Sequence, residues 1–592
     1  MNDSFELILG ELSEQQKDIV TSVENLLVTA CPGSGKTRVL TRKLAYTALS
    51  HPQSWKKNIA ITYTNRAADE IKDRLEFLDV NQSSIWVGTI HQFCLEYIIH
   101  PYSMFLPQIS RGFKILNEYV RGQRIKDVLN ELNISMPFYE RAKIKTALGM
   151  DMDITEEKYP EVVKRYHEVI SEEKEIDFDL ILSLSCLILA THPIASKNIA
   201  NVIRSIYIDE YQDTNELQYQ IIGILAKNNS NINLMFVGDT DQAIYGNLGG
   251  VAKNIEQIME ITQLEFSRKT LSGCYRSTQR IIDYYSYFQN QGYVIASHSP
   301  QANIVGTITL DSSINKDYIH VAIAEIIKKK IENDVPQNEI CVIAPQWMLL
   351  YPLSKTLREL LPEIEFDAPD ISPIKADEMS VFYKLSKLIF TKAGEKVFRR
   401  KRIATEILRM LTDEFGVMLQ GDIDCFWLLQ KINSIHPSTS SGMEYYRQTV
   451  EEFLSACRLN KLSHPALFDM FDNFLLEMAD RMERFDLTND LESFKKMFKE
   501  KTGVVITSCH KIKGEEYNTV IAFGLLHGKI PHWDTIYNRA LSEDDEAKKM
   551  LYVIASRAKE SLYFFAENGR TTKKGEPLTL TKVLDSYKYQ YD

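Results

Sequence analysis

Short apolar runs punctuate the first third of the chain, each closed by turn-forming residues and followed by helical spacing. The runs Leu26-Leu27-Val28-Thr29, Ile59-Ala60-Ile61-Thr62-Tyr63 and Trp86-Val87-Gly88 come first, then Ser205-Ile206-Tyr207-Ile208 and Leu234-Met235-Phe236-Val237. Strands that are apolar at successive positions are covered on both faces, and their alternation with helices predicts a parallel sheet with crossover helices. The pattern returns in Ile340-Cys341-Val342-Ile343, Val504-Val505-Ile506-Thr507, Val520-Ile521-Ala522-Phe523 and Leu562-Tyr563-Phe564-Phe565, so a second half of the same kind is expected. Residues 94–200 and 366–500 look helical and strand-poor, and sheet patterning resumes after each. The predicted class is α/β, with two parallel-sheet domains that are each interrupted by a mainly helical insertion.

At 592 residues the chain is too long for one core and corresponds to roughly four domain-sized units. Hydrophobic residues at 44% and charged residues at 25% exclude a mainly disordered or fibrous chain. Lys+Arg 69 against Asp+Glu 80 leaves a net charge of −11, which excludes a surface that coats nucleic acid with general positive charge. Binding to nucleic acid requires cations gathered into one groove. The cysteines at 31, 94, 186, 274, 341, 425, 457 and 509 form no C-x-x-C pair, so reduced thiols are expected rather than a zinc site or a disulfide framework. The acidic start Met1-Asn2-Asp3-Ser4-Phe5-Glu6 lacks a secretory pattern, and no apolar run nears the roughly 20 residues that cross a bilayer. A cytoplasmic protein with no membrane partner is expected.

The chemistry begins at Ala30-Cys31-Pro32-Gly33-Ser34-Gly35-Lys36-Thr37, placed between a strand and a helix that starts around Arg38. It departs from G-x-x-x-x-G-K-T only at Ala30. Gly33 and Gly35 let the backbone turn its N–H groups toward phosphate oxygens, Lys36 supplies charge at the β/γ-phosphates, and the Thr37 hydroxyl ligates Mg²⁺. The strand Ile206-Tyr207-Ile208 ends in Asp209-Glu210. Asp209 is the expected carboxylate behind Mg²⁺, and Glu210 the expected general base on the attacking water. After the next strand, Gln242 in Gly238-Asp239-Thr240-Asp241-Gln242 offers a neutral amide suited to sensing the γ-phosphate.

With these three elements in order, the chain resembles superfamily 1A helicases of the UvrD/Rep/PcrA type. Leu12-Ser13-Glu14-Gln15-Gln16 is similar to the family's Q motif, Ile61-Thr62-Tyr63-Thr64-Asn65-Arg66-Ala67-Ala68 to motif Ia, and Gly88-Thr89-Ile90-His91-Gln92-Phe93-Cys94 to motif Ib. Asp209-Glu210-Tyr211-Gln212-Asp213-Thr214 is close to D-E-x-Q-D-T. Cys274-Tyr275-Arg276-Ser277 resembles motif IV, His510-Lys511-Ile512-Lys513-Gly514-Glu515-Glu516-Tyr517 motif V, and Tyr552-Val553-Ile554-Ala555-Ser556-Arg557-Ala558 motif VI.

The resemblance implies two RecA-like domains, 1A over 1–93 and 201–265 with insertion 1B at 94–200, and 2A over 266–365 and 501–592 with a reduced 2B-like insertion at 366–500. It implies ATP and Mg²⁺ as cofactors. Residues 30–38, from Ala30 to Arg38, would hold the phosphates, with Gln16 on the adenine edge, Tyr275 stacked on adenine and Glu516 on the ribose. Arg276 and Arg557 would be the two arginine fingers, a kind of residue worth about 10³–10⁵ in rate. Tyr63 would stack on a base, and Thr64, Asn65, His91 and His510 would bond phosphates or sugars of single-stranded DNA.

One stretch departs from the family. Where its motif III carries an aromatic followed by arginine, this chain has Asn247-Leu248 within Tyr245-Gly246-Asn247-Leu248-Gly249-Gly250. A base platform and a positive link between the ATP site and the DNA track are expected to be lost. The basic run Arg399-Arg400-Lys401-Arg402 and the pair Lys573-Lys574 are candidate duplex contacts outside the motifs.

The leading functional reading is a single-stranded DNA translocase and 3′-to-5′ helicase that acts on single-stranded or 3′-tailed DNA, in repair or in phage defence. A second is a DNA-stimulated ATPase that serves a partner nuclease, as in a Gabija-type defence complex that pairs a UvrD-like subunit with an OLD-like nuclease. A third, a small-molecule kinase built on the phosphate loop, fits poorly with two arginine motifs far downstream.

Overall fold

The computed structural model describes all residues except 1, 53, 79, 142, 157, 246–248, 369–371, 420, 500 and 538–541. Asn247 and Leu248, the departures in motif III, therefore lie outside the described residues. The chain divides into two compact units, one of Met1–Phe93, Leu189–Ala368 and Lys501–Asp592, the other of Cys94–Ile188 and Pro369–Glu500.

In chain order the strands are β1 (Leu26–Ala30), β2 (Lys57–Thr62), β3 (Ile85–Thr89), β4 (Lys114–Ile115), β5 (Glu175–Ile176), β6 (Ile203–Asp209), β7 (Asn233–Gly238) and β8 (Ser267–Leu271). Then follow β9 (Gly273–Cys274), β10 (Ala296–Ser297), β11 (Ile308–Asp311), β12 (Ile340–Ala344), β13 (Phe366–Asp367), β14 (Val504–Ser508), β15 (Tyr517–Ala522) and β16 (Ala558–Phe565). The first unit contains two six-stranded sheets, in the orders β3-β2-β6-β7-β1-β8 and β11-β16-β15-β12-β14-β13. Every pairing within them is parallel.

The apolar runs are explained by cover on both faces. In β12, Cys341 and Ile343 enter one core cluster while Ile340, Val342 and Ala344 enter another on the opposite face. Burying a side chain of this size contributes about 1.5–3 kcal/mol. The strand Ser267–Leu271 was not visible in the sequence: it alternates, with Arg268 and Thr270 exposed, because as an edge strand it has neighbours only at β1.

Parallel pairing brings the C-terminal ends of the strands to one edge of each sheet. In the first sheet Thr29 registers with Gly238, Val237 with Asp209, and Thr62 with Thr89. The segments that follow these ends are the phosphate loop, Tyr63-Thr64, His91, Glu210 and Asp239, so five sequence motifs share one rim, where ligands of open α/β sheets bind.

In the second unit, the helices Val381–Ile389, Val397–Asp413, Cys425–Ser434, Gly442–Ala456 and Pro465–Arg484 surround a core that includes Leu385, Ile407, Leu428, Val450 and Phe471. The stretch at 94–188 is mainly helical and, among its described residues, carries a short parallel pairing of β4 with β5 and an isolated bridge between Leu148 and Ile154. Its polar hub is Asp177, fully buried, which accepts from Thr146 Oγ1, Tyr166 Oη and the Leu180 amide at 2.8–2.9 Å. One candidate duplex contact does not face solvent. Arg400 is buried and donates to the Leu388 and Thr391 carbonyls at 2.9 Å and to Asn433 Oδ1 at 2.7 Å, so it ties helices together. Among the described residues no single helix is long and apolar enough to cross a bilayer.

Candidate active site

The phosphate loop leaves β1 at Ala30, where the Cys31 amide donates to the Leu271 carbonyl at 3.0 Å. Cys31 and Pro32 are buried, and burial, then Cys274, pushes the Cys31 thiol well above its usual range. Gly33 and Gly35 adopt φ of +71° and +81°. A Cβ on Gly33 would lie 2.7 Å from Arg276 Cβ, because the segment after β9 packs directly on the loop and the Tyr275 amide donates to the Gly33 carbonyl at 2.9 Å. The helix Lys36–Ser50 then starts with Gly35 as N-cap and no side-chain cap, so its first N–H groups face outward at the positive end of the helix dipole. Arg38 pairs with Glu11 at 2.5 Å.

Gln16 caps its own helix and braces this loop. Its side-chain oxygen accepts from the Ser13 amide at 3.1 Å and its Nε2 donates to the Ser34 carbonyl at 3.0 Å. One N–H and one lone pair of the amide remain for a base edge.

Opposite the loop, Lys36 Nζ stands 3.8 Å from Glu210 Oε1. Glu210 sits at φ +51°, a left-handed turn that swings its carboxylate out of line with β6. Burial raises its carboxyl, but Lys36 and Lys513 outweigh this and hold it down at about 2. Asp209 goes the other way, pushed up to about 7 by burial and by Glu210. A chain of side chains leads onward: Gln212 donates to Glu210 Oε2 at 2.5 Å, the Asp239 amide donates to Gln212 Oε1 at 3.1 Å, and Gln242 donates to Asp239 Oδ2 at 2.7 Å.

The second sheet closes this chain. Arg557 is 2% exposed and donates through Nη2 to Gln242 Oε1 at 3.0 Å and to Ser556 Oγ at 2.9 Å. Burial, then Arg276, lowers it to about 9, so it stays charged at neutral pH. Arg276 donates to Glu516 Oε2 at 2.7 Å and to the Ser556 carbonyl at 2.9 Å. Glu516 is thereby held between Arg276 and Lys559, the latter at 3.6 Å. Tyr275, 43% exposed, stacks on His298 with ring centroids 5.5 Å apart. No sequence signal marks His298, which lies in an irregular stretch after β10 with no motif around it.

Mg²⁺ suits the donors present. The Asp209 carboxylate is buried beside a second carboxylate, where a cation relieves the most repulsion, and Thr37 lies in the first turn of the helix that follows the phosphate loop. One carboxylate and one hydroxyl leave the other positions to phosphate oxygens and water, as Mg²⁺ prefers. Among the described residues no group of three His, Cys, Asp or Glu side chains forms a self-sufficient metal cage.

Of the residues expected to meet nucleic acid, Tyr63, Thr64, Asn65 and His91 follow strand ends of the first sheet, and His510 follows β14 of the second. Tyr63, 40% exposed, stacks on Tyr245 at 5.0 Å, and Tyr245 lies 6.0 Å from the His510 ring while its hydroxyl donates to the His510 carbonyl at 2.8 Å. Thr64 caps the helix Asn65–Phe77, its oxygen accepting from the Ala67 amide at 3.2 Å, which leaves the hydroxyl proton to donate. The Asn65 side-chain oxygen is buried and accepts no hydrogen bond among the described residues. Burial lowers His91 to about 4 and, with His532, lowers His510, so both rings are neutral at pH 7 and act as hydrogen-bonding groups, not as charges.

Lys513, in the stretch that resembles motif V, is a site residue whose part is not evident from sequence. Its Nζ donates to Asp213 Oδ2 at 2.5 Å and to the Gln242 carbonyl at 3.0 Å, stands 3.8 Å from Glu210 Oε2, and lies 5.6 Å from the Tyr245 ring centroid. A positive link from the carboxylate centre to the aromatic stack is therefore present, supplied by the second sheet. Arg66 adds another tie between the sheets through Glu515.

Residues 12–262 match the family described as UvrD/REP helicase N-terminal domain, and residues 428–569 match the UvrD-like helicase C-terminal domain. The ATP-dependent DNA helicase PcrA of Staphylococcus epidermidis is 26% identical over 628 aligned positions, which cover 94% of this chain and 83% of that protein. PcrA of Staphylococcus aureus is 25% identical over 633 positions, with the same 94% and 83% coverage. Two family domains in order, one on each sheet, together with relatives aligned along nearly the whole chain, give the conclusion that this protein belongs to the superfamily 1A helicases of the UvrD/PcrA type.

Proposed function

We propose that the chain is an ATP-dependent DNA helicase that moves along single-stranded DNA in the 3′-to-5′ direction. The observation that supports this reading is the bond from Arg557 to Gln242, which sets a guanidinium of one sheet against the side-chain amide of the other that would sense the γ-phosphate. Lys36 and the outward N–H groups after Gly35 would hold the β- and γ-phosphates, with Gln16 on the adenine edge, Tyr275 stacked on the base and Glu516 near the ribose. Thr37 and Asp209 would hold Mg²⁺, which when bound withdraws charge from the phosphate oxygens. Phosphate in the loop would draw Lys36 from Glu210, and the loss of that cation raises the carboxylate's basicity as water must be polarised. Arg276 and Arg557 would then offset charge on the transferring phosphoryl group. Loss of that charge after hydrolysis weakens the grip of one sheet on the other, and Lys513 carries the change to Tyr245 and Tyr63, where a strand would stack.

The test is ATP hydrolysis with and without single-stranded DNA, followed by unwinding of 3′-tailed and 5′-tailed duplexes. Strong stimulation and opening of the 3′-tailed duplex alone are expected, and Lys36→Ala and Glu210→Gln should each abolish turnover. Indifference to DNA, or substantial turnover in either variant, overturns the assignment.

Asn247-Leu248 in place of an aromatic and an arginine favours a second reading, a DNA-stimulated ATPase subunit that feeds a partner nuclease. Stimulation by DNA without strand separation would select it.

A further inference from the structure

β12 ends at Ala344, and the chain turns through Pro345 and Gln346 into the helix Trp347–Leu360. Trp347 thus stands just past the C-terminal end of an inner parallel strand of the second sheet, as Tyr63 stands just past β2 in the first. No motif includes it. Part of the indole packs on the core of its sheet, and the rest is accessible. The Lys511 Nζ lies 5.9 Å from the indole centroid, and Lys529 Nζ donates to the Gln346 side-chain oxygen at 2.5 Å. Met348, 84% exposed, follows on the helix.

The setting gives this cluster meaning. Lys511 follows His510 directly, and His510 abuts Tyr245, which stacks on Tyr63. Three rings, Tyr63, Tyr245 and His510, therefore lead to the Lys511 cation and, beyond it, to Trp347 of the second sheet. In a chain with a net charge of −11, Lys511 over a partly exposed indole, with Lys529 bonded to the neighbouring Gln346 side chain, gathers positive charge at one place. Backbone-tracking cations combined with stacking platforms are what binds single strands without regard to sequence. The chain also has asparagine at 247, where an aromatic is expected, which leaves the first half one ring fewer for stacking.

We propose that Trp347 is a base-stacking platform for single-stranded DNA, with Lys511 as the cation for the adjoining phosphate. This rests on the reading of the chain as a single-stranded DNA translocase. When a strand arrives, the Lys511 ammonium leaves the ring for a phosphate oxygen and a base takes its place on the indole.

The test compares a fluorescent oligo-dT with an abasic oligonucleotide of the same length, titrated by anisotropy into the full-length protein and its Trp347→Ala, Trp347→Phe and Lys511→Ala variants. Trp347→Ala should weaken oligo-dT binding by about 5- to 150-fold, the range for one stacked base, and leave abasic binding unchanged. Trp347→Phe should recover most of the loss. Lys511→Ala should weaken both ligands alike and reduce the salt slope by about 1. Oligo-dT binding by Trp347→Ala within about twofold of wild type overturns the platform, as does an equal loss on both oligonucleotides. Wild type that binds neither ligand instead overturns the translocase reading itself.

Discussion

Arg557 donates through Nη2 to the Gln242 side-chain oxygen at 3.0 Å, joining residues from the two parallel sheets of one compact unit. Gln242 is itself fixed by Asp239 at 2.7 Å, so the guanidinium meets an acceptor that cannot swing away. A buried arginine keeps its charge only if such partners surround it. These two side chains should consequently act as a unit. In a double-mutant cycle on kcat, Gln242→Ala and Arg557→Ala should be non-additive, with a coupling of about 0.5–3 kcal/mol. Additive losses would show that the bond plays no part in turnover.

Gly33 has no room for a side chain. Its φ is +71°, and a Cβ would stand 2.7 Å from Arg276 Cβ and 2.9 Å from Cys274 Sγ. Gly33→Ala must either strain the loop, at about 1–3 kcal/mol, or push the segment that carries Cys274 and Arg276 away. Binding of a fluorescent ATP analogue should weaken by about 5- to 150-fold. Unchanged affinity would mean that the loop and Arg276 do not share the nucleotide.

Lys513 compensates buried negative charge. Its side chain is 8% exposed and that of its partner Asp213 only 1%. Removing one member of a buried pair costs about 3–5 kcal/mol, because the other charge is stranded. Lys513→Ala should lower the melting temperature, and adding Asp213→Asn should restore part of the loss. A double variant that melts below the single one would contradict the pairing.

His91 makes stability depend on pH. Burial depresses the ring from the ordinary imidazole value of 6.5 to about 4. The unfolded chain therefore takes a proton below about pH 6.5 that the folded chain refuses until about pH 4. Stability is fully present above that window and is lost as pH falls through it. Thermal melts of wild type should drop between pH 7.5 and 5 by more than those of His91→Gln. Parallel curves would show that His91 is not held neutral.

Much of this was legible in the sequence because the relevant signals are local. Inner strands such as Ile340–Ala344 are apolar at every position, and a glycine-rich turn between strand and helix is specific wherever it occurs. The remainder depends on which segments the fold brings together. Lys513 could be quoted but not assigned, since its partners Asp213 and Gln242 are about 300 residues away. The stack of Tyr63 on Tyr245 joins two motifs that are each unremarkable in sequence. Arg400 read as part of a basic surface, yet it is a helix-tying core residue, because charge patterning alone does not reveal which long side chain turns inward.

A nucleotide held on the first sheet would be completed by the Arg557 guanidinium of the second. The single-turnover rate of ATP hydrolysis in Arg557→Ala, with nucleotide affinity measured on the same preparation, decides whether it is. The expected result is a fall of about 10³–10⁵ in rate with far less change in affinity. A rate within about tenfold of wild type would contradict it.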